Sequence, residues 1–145
     1  MTKCWVFDID GTLADCSHRL YHIQKSPKDW TSFFAMVIGD APIVHVIALA
    51  KELERGPFPI VFASGRSSEC REATLDWIHS QGLHGPLYMR RAGDHRDDDI
   101  VKTEILGFLR RDGFEPIMAF DDRNRVVKAW RAAGVPCAQV AEGDF

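Results

Sequence analysis

The fold is decided by residues 3–13, KCWVFDIDGTL. The apolar run at positions 4–7 is long enough for a strand that is buried on both faces. It ends in two acids, Asp8 and Asp10, and then in a Gly-Thr pair that is typical of a turn. Acids at the carboxyl end of a buried parallel strand point into the crevice where open α/β sheets bind ligands. Two acids this close repel each other, and a divalent cation is the usual compensation.

The chain of 145 residues has the composition of an ordinary single-domain globular protein, with 46% hydrophobic and 27% charged residues. No apolar run is long enough for a membrane helix, and the first strand begins too early to leave room for a signal peptide. The four scattered cysteines form no C-x-x-C pair, which favours a reducing compartment over a zinc site or a disulfide framework. We therefore expect a single cytoplasmic domain, 1–145, without membrane association.

Basic residues are unevenly distributed, although the net charge of −3 argues against a strongly basic nucleic-acid binder. They form two short clusters, Arg90, Arg91, His95 and Arg96, and then Arg123, Arg125, Lys128 and Arg131. A basic rim around an acidic, metal-bearing centre would suit a phosphorylated substrate. The alternative is that both clusters are solvated faces, balanced by nearby acids such as Asp94.

Strand and helix patterns alternate along the chain, which predicts a parallel sheet with helices on both faces. The predicted strands are residues 4–7, 59–63, 87–89, 117–120 and 136–140. Residues 14–39 lack strand character and indicate a small helical insertion over the site. Within it, Ser26 is expected to be the N-cap of a helix with Pro27 at the first position. Asp40 is expected to begin the next helix.

Polar residues follow three of these strands, and the ends of parallel strands share one edge of a sheet. They are Asp8 and Asp10 after the first strand, Ser64 and Arg66 after the second, and Asp121 and Asp122 after the fourth. Each group alone has a structural explanation: Ser-Gly is a common turn, and paired aspartates often cap helices. Their joint placement favours a site.

These residue types suit phosphoryl transfer, which needs a nucleophile, a proton carrier, a cation and donors for the phosphoryl oxygens. Asp8 can attack phosphorus and Asp10 can move the proton. Asp121 and Asp122 can help to hold Mg²⁺, which prefers oxygen ligands. Ser64 and Lys102, the latter on the helix after the third strand, can hold the phosphate. His18 and His22 are less suited to this metal, because they offer nitrogen.

Four motifs in one order resemble the haloacid dehalogenase superfamily of phosphatases: DIDGTL, SGR, a lone helical lysine, and FDDR after a strand. They span residues 8–122. The resemblance implies a Rossmann-like sheet of order 5-4-1-2-3 and Mg²⁺-dependent phosphomonoester hydrolysis. The resemblance also implies a role for each residue. Asp8 would be the nucleophile and a metal ligand, and Asp10 the acid/base, whose main-chain carbonyl also binds the metal. Asp122 would bind the metal with support from Asp121, and Ser64 and Lys102 would hold the phosphoryl group.

Further matches resemble the phosphatase half of phage polynucleotide kinase–phosphatases, including His18-Arg19, Trp30 with Phe33, residues 87–90 and Trp130-Arg131. This implies removal of 3′-phosphates from DNA or RNA ends, with 2′,3′-cyclic phosphates as a further candidate substrate. Arg19 and Arg66 would then be functional arginines, because their planar forks suit phosphate oxygens. Arg90, Arg96 and Arg123 are weaker candidates for contacts to the nucleic acid. No G-x-x-x-x-G-K-[ST] motif is present, so the sequence predicts a free-standing phosphatase without a kinase.

Two alternatives stay open. The first is a phosphatase of the same fold for free nucleotides or other small phosphomonoesters. The short insertion at 14–39 argues against it, because a small-molecule enzyme gains from a large lid that excludes water. The second is a non-catalytic module that binds phosphorylated ends, which no residue favours. The sequence does not distinguish DNA from RNA, or a 3′-phosphate from a cyclic phosphate.

Overall fold

The computed structural model describes residues 1–145, and its central element is a five-stranded parallel sheet. The seven strands are β1 (Thr2–Phe7), β2 (Ala14–Asp15), β3 (Ala41–Pro42), β4 (Ile60–Ser67), β5 (Leu87–Arg90), β6 (Phe114–Asp121) and β7 (Cys137–Gln139). The six α-helices are α1 (Tyr21–Gln24), α2 (Trp30–Ala35), α3 (Val44–Glu54), α4 (Arg71–Ser80), α5 (Asp98–Arg111) and α6 (Asn124–Ala132). Single 3₁₀ turns cover Ser17–Arg19, Val37–Gly39 and Ser68–Cys70.

The strand order along the sheet is β5-β4-β1-β6-β7, and every neighbouring pair is parallel. The predicted order 5-4-1-2-3 has to be corrected to 5-4-1-6-7. The sequence analysis missed two short strands, β2 and β3, which form a separate antiparallel pair. Their pairing ties the two ends of the insertion together. The prediction counted only the five sheet strands, whereas the observed order counts all seven strands of the chain. Each sheet strand keeps its predicted neighbours, and β1 lies in the centre.

Alternate residues of the central strands face two separate cores, as the two-residue period of a strand requires. On β1, Cys4 and Val6 belong to one hydrophobic cluster, whereas Phe7 belongs to the other. Helices α5 and α6 cover the first face with residues such as Leu109 and Trp130. Helices α3 and α4 cover the second. The doubly covered sheet therefore holds the carboxyl end of β1 rigidly.

Two predicted helix starts were wrong, one within the insertion and one directly after it. Helix α2 begins at Trp30 with Asp29 as its N-cap, because the Asp29 carboxylate accepts hydrogen bonds from the Ser32 amide and hydroxyl at 3.0 and 2.6 Å. Ser26 therefore does not cap this helix. Helix α3 begins at Val44 and not at Asp40. The Asp40 side chain is buried and does not cap this helix. The longest helix, α5, has 14 residues, and no helix meets the length and apolarity needed to cross a bilayer.

Candidate active site

Three carboxylates meet where β1 and β6 end. The Asp8 amide still donates to the Phe120 carbonyl at 3.0 Å, so Asp8 continues the strand pairing to the edge of the sheet. Asp121 ends β6 and Asp122 follows it. One oxygen of each of Asp8, Asp121 and Asp122 lies within 4.8 Å of the others, and all three residues are buried. The structure thus brings together acids that are 113 and 114 positions apart in the sequence.

Lys102 enters this cluster from the first turns of α5. Its ammonium donates to Asp8 Oδ1 at 2.8 Å and to Asp121 Oδ2 at 3.0 Å. Burial acts to lower the pKa of Lys102, but the charges of Asp121 and Asp8 outweigh it and raise the pKa well above its ordinary value. Lys102 is therefore a fixed cation beside the predicted nucleophile.

Two further side chains orient the acids, and the sequence analysis assigned neither to the site. The Thr12 hydroxyl donates to Asp8 Oδ2 at 2.9 Å, and the Trp130 indole donates to Asp121 Oδ2 at 3.3 Å. Thr12 was interpreted only as part of a turn. Its spacing from Asp8 was a usable signal, because a hydroxyl four positions after an acid can return to it across a tight turn.

The acid cluster carries more negative charge than Lys102 can balance. Burial and then the charge of Asp121 raise the pKa of Asp8 well above its ordinary value. Burial likewise raises the pKa of Asp122 to about 6, with Asp121 adding to the effect. Three hard oxygen donors in mutual repulsion fit a divalent cation such as Mg²⁺. The side chains of Asp8, Asp121 and Asp122 are the ones placed to hold it.

Asp10 lies outside that cluster and is held by two arginines. Its Oδ1 atom accepts from Arg66 Nη2 at 2.7 Å, from Arg66 Nε at 3.0 Å and from Arg19 Nη2 at 2.8 Å. Burial acts to raise the pKa of Asp10, but the charges and hydrogen bonds of Arg66 and Arg19 outweigh it and leave the pKa below its ordinary value. The side chains of the two DxD acids therefore occupy opposite electrostatic environments.

The arginines themselves are anchored by Asp40, which sequence reasoning missed as a functional candidate. Asp40 Oδ1 accepts from Arg19 Nε and His18 Nε2 at 2.8 and 2.7 Å, and Oδ2 accepts from Arg19 Nη2 and Arg66 Nη2 at 2.8 Å. Arg19 and Arg66 are almost fully buried. Charge balance was the available signal, because two buried arginines need more than one carboxylate.

The remaining donors of these arginines are also engaged within the protein. Arg66 Nη1 donates to the Thr74 hydroxyl at 3.0 Å, and the Arg19 guanidinium lies 4.2 Å from the centre of the Phe33 ring. Both arginines therefore act on Asp10 in this structure. Their predicted direct contacts to phosphate stay a prediction.

Ser64 lies inside β4 at the same edge and is buried. Its hydroxyl oxygen accepts from the Arg66 amide at 3.1 Å, where the pairing of β4 with β5 is irregular between Ser64 and Ser67. A Cβ atom at Gly65 would lie only 2.0 Å from Asp98 Oδ1, so any larger residue at this position would displace the Asp98 carboxylate. Asp98 was predicted to lie in a helix start and was among the positions that match the phage phosphatase domains, but no role in the site was assigned to it.

The other predicted arginines line the rim, and each already has a partner. Arg90 donates to the Gly65 carbonyl at 2.8 Å and so braces the loop after β5. Arg96 is exposed and forms ion pairs with Asp94 and Glu104 at 2.8 and 3.0 Å. Arg123 Nε donates to the Phe145 carbonyl at 2.7 Å. The structure places all three at the carboxyl edge of the sheet without joining them to the acid cluster.

A Rossmann-like parallel sheet with acids after β1 and β6 and a lysine from α5 defines a haloacid dehalogenase-type fold. A haloacid dehalogenase-like hydrolase, SP0104 from Streptococcus pneumoniae, has the same fold, with a TM-score of 0.64 and 15% identity over 96% of this chain and 84% of that one. The class C acid phosphatase from Bacillus anthracis superposes similarly, with a TM-score of 0.67 and 14% identity over 97% of this chain and 68% of its own.

The family follows from a closer comparison. The family model of the polynucleotide kinase PNKP phosphatase domain matches residues 2–145, and the chain belongs to this family. The resemblance drawn from the sequence motifs is thereby confirmed, and the chain is a haloacid dehalogenase-type polynucleotide phosphatase domain.

Two relatives are much longer than this chain. A putative bifunctional polynucleotide kinase/RNA ligase from Autographa californica nuclear polyhedrosis virus is 30% identical over 132 residues, which are 89% of this chain and 18% of the viral protein. One chain of a solved Pnkp1/Rnl/Hen1 complex superposes with a TM-score of 0.85 and 27% identity, over 100% of this chain and 47% of that one. The chain thus spans less than half the length of either relative.

Proposed function

We propose that this protein removes the 3′-phosphate from nucleic acid ends in an Mg²⁺-dependent reaction that passes through an aspartyl-phosphate at Asp8. The observation that carries the proposal is the pairing of Lys102 with both Asp8 and Asp121, beside Asp122, in a domain of the polynucleotide phosphatase family. A buried carboxylate with an adjacent fixed ammonium suits attack on an anionic phosphoryl group.

In the first step, a carboxylate oxygen of Asp8 forms a bond to phosphorus while the bond from phosphorus to the 3′-oxygen breaks. Asp10 protonates the departing 3′-oxygen, having taken its proton from the phosphate monoanion. In the second step, Asp10 removes a proton from water, and that water displaces Asp8 from phosphorus. The product phosphate takes this proton from Asp10 and leaves, which restores both the Asp8 and the Asp10 carboxylates.

The other residues position these groups. Thr12 and Lys102 each bind one carboxylate oxygen of Asp8. Arg19 and Arg66 together hold the Asp10 side chain at the carboxyl edge of the sheet. Ser64 supplies a hydroxyl for a phosphoryl oxygen. A bound Mg²⁺ would supply positive charge to the phosphoryl oxygens and reduce their repulsion with Asp8. The main-chain carbonyl of Asp10 is a further proposed ligand for it.

A polymer end is favoured over a small phosphomonoester because of the shape of the insertion. It consists of 3₁₀ turns and two helices of four and six residues, and these leave the carboxyl edge without a large lid. An enzyme for a small molecule gains from full enclosure. The open edge leaves room for the rest of a strand.

The test measures phosphate release from two oligonucleotides of identical sequence, one with a 3′-phosphate and one with a 5′-phosphate, in Mg²⁺ and in chelator. We expect Mg²⁺-dependent release from the 3′-phosphorylated oligonucleotide, and much slower release from a mononucleoside 3′-phosphate and an aryl phosphate. Equal or faster turnover of the small esters would replace the end-healing function with a small-molecule phosphatase. An oligonucleotide with a 2′,3′-cyclic phosphate tests the wider substrate range.

Asp8→Asn separates an enzyme from a binding module, because the amide has nearly the same shape but is a poor nucleophile. We expect phosphate release to fall by more than about 10³-fold. The matched control is Asp76→Asn, which makes the same chemical change at an exposed position on α4 and should leave turnover unchanged. Full turnover by the Asp8 variant would show that the aspartyl-phosphate mechanism is wrong.

A further inference from the structure

An aromatic side chain with no structural explanation stands on the insertion. Trp30, the first residue of α2, is 45% exposed, whereas Phe33 on the next turn is buried. Of the other tryptophans, Trp77 and Trp130 are almost fully buried. A tryptophan that is 45% exposed loses about half of the free energy that full burial would provide, so packing alone does not fully account for its position.

Trp30 is nevertheless held in a defined orientation. Its ring packs edge-on against Phe33 at 5.7 Å and is stacked with Phe34 at 5.8 Å. Phe33 in turn carries the Arg19 guanidinium, which binds Asp10 at 2.8 Å. Two packed side chains therefore connect the exposed ring to a predicted catalytic acid. A ring braced in this way needs little further ordering to bind a flat partner.

The insertion also lies at the correct edge of the sheet. Helix α2 packs beside the Ser68–Cys70 turn, which follows directly from the end of β4. The Ser68 hydroxyl accepts from the Ala92 amide at 3.0 Å, in the loop after β5. Trp30, this turn and the basic loop therefore lie along the same edge as Ser64.

The charge of the insertion suits an anionic partner. Lys25 and Lys28 are exposed, and the Lys28 ammonium lies 5.8 Å from the Trp30 ring centre. The two acids of the insertion keep their negative charges, but their oxygens are directed to the backbone, since Asp15 accepts from the Ser17 amide and Asp29 caps α2. One exposed cation, Lys28, therefore lies beside the half-exposed Trp30 ring.

We propose that Trp30 and Lys28 form a stacking platform for unpaired bases adjoining the 3′ end, an inference that rests on the proposed function. An exposed aromatic ring flanked by cations is how proteins hold single strands without reading their sequence, with the base on the ring and the phosphate near the cation. A base inside a duplex is stacked on both faces, and a blunt end exposes only the outer face of its terminal pair. The platform therefore favours single-stranded 3′ ends, whose unpaired bases are free to stack on the ring, over blunt duplex ends.

The first test compares Trp30→Ala with the wild type on a 3′-phosphorylated single-stranded ten-mer and on a mononucleoside 3′-phosphate. We expect kcat/KM for the ten-mer to fall about 5- to 100-fold, mainly through KM, because each stacked base contributes on that scale. Activity on the mononucleotide should be unchanged. Trp30→Phe should keep most of the activity on the ten-mer, and abasic sites beside the 3′ end of the substrate should reproduce the loss.

Phe108→Ala is the matched control. Phe108 is, like Trp30, an aromatic residue beside cationic side chains, here Arg91 and Arg111, but it lies on α5. It should leave both substrates unaffected. Lys28→Ala should weaken the ten-mer alone and lower the salt dependence of its KM, whereas Lys51→Ala, at an exposed position on α3, should not. Equal losses of Trp30→Ala on both substrates would overturn the platform and make Trp30 a support for Phe33 and Arg19.

A binding measurement keeps the two proposals separable. Titration with an unphosphorylated single-stranded oligonucleotide should quench tryptophan fluorescence in the wild type, and the quench should be largely lost in Trp30→Phe. If the wild type releases phosphate from 3′ ends but Trp30→Ala does so equally well, the platform fails and the proposed function stands. If the wild type shows no 3′-phosphatase activity, the proposed function itself fails.

Discussion

Asp40→Asn tests whether the buried arginine cluster holds the insertion and Asp10 in place. The Asp40 side chain is inaccessible to solvent and pairs with Arg19 and Arg66 through both of its oxygens. Removing one partner of a buried ion pair costs about 3–5 kcal/mol. Asparagine retains one acceptor oxygen, and Asp10 still contacts both arginines, so we expect a loss near the lower end, about 3 kcal/mol. For a chain of this size, that corresponds to a fall in Tm of about 10 °C.

The assay is urea denaturation, in which the midpoint should fall while the slope with denaturant stays constant. Turnover should fall as well, because Arg66 would no longer be fixed on two sides when it binds Asp10. Glu52→Gln is the matched control, since Glu52 forms an exposed pair with Arg55 and the same change should leave stability almost unaltered. A loss below about 1 kcal/mol with normal turnover would refute the reasoning, because it would mean that Asp40 does not compensate the buried guanidinium charge.

Two further substitutions test the acid cluster. Gly11→Ala should abolish most activity, because Gly11 has φ +80° and a Cβ there would lie 2.1 Å from Asp122 Oδ2. The control is Gly134→Ala, since Gly134 has a similar φ of +83° but open space around it. This control should lose comparable stability in a denaturation experiment and keep its turnover. Lys102→Met should reduce kcat by about 10²–10³-fold, the usual cost of removing one charged donor from such a site, and a loss confined to KM in steady-state assays would count against its proposed role.

The acid cluster could be predicted from the sequence, because each of its acids follows an apolar run that was predicted to be a strand. Asp8 and Asp121 could be placed at one edge from the alternation of strands and helices alone, and the structure brings them within one cluster. Lys102 was harder to place, because one lysine on a helix has no distinctive pattern. It was proposed from its place on the helix after the third predicted strand, and the order of the family motifs then supported it; Lys102 lies 2.8 Å from Asp8.

The arginine cluster could not be assembled in the same way. Asp40 lies 30 positions after Asp10, between an insertion and a helix, where no periodic pattern exists to locate it. Its position depends on β2 pairing with β3, and each of these strands has only two residues. So short a pairing leaves almost no signal in side-chain alternation. Asp40 was therefore interpreted as a helix start, although its side chain lies against Arg19 and Arg66.

The two clusters also explain why a cation is expected at one of them only. Around Asp10, two guanidinium groups face two carboxylates, Asp10 and Asp40, so the formal charges balance. Around Asp8, three carboxylates face the single ammonium of Lys102. Buried charge that is left unbalanced is costly, so any added cation belongs beside Asp8. The side chains of the two acids of one DxD motif thus lie in different centres, one with excess negative charge, where we propose the metal, and one that is already neutral.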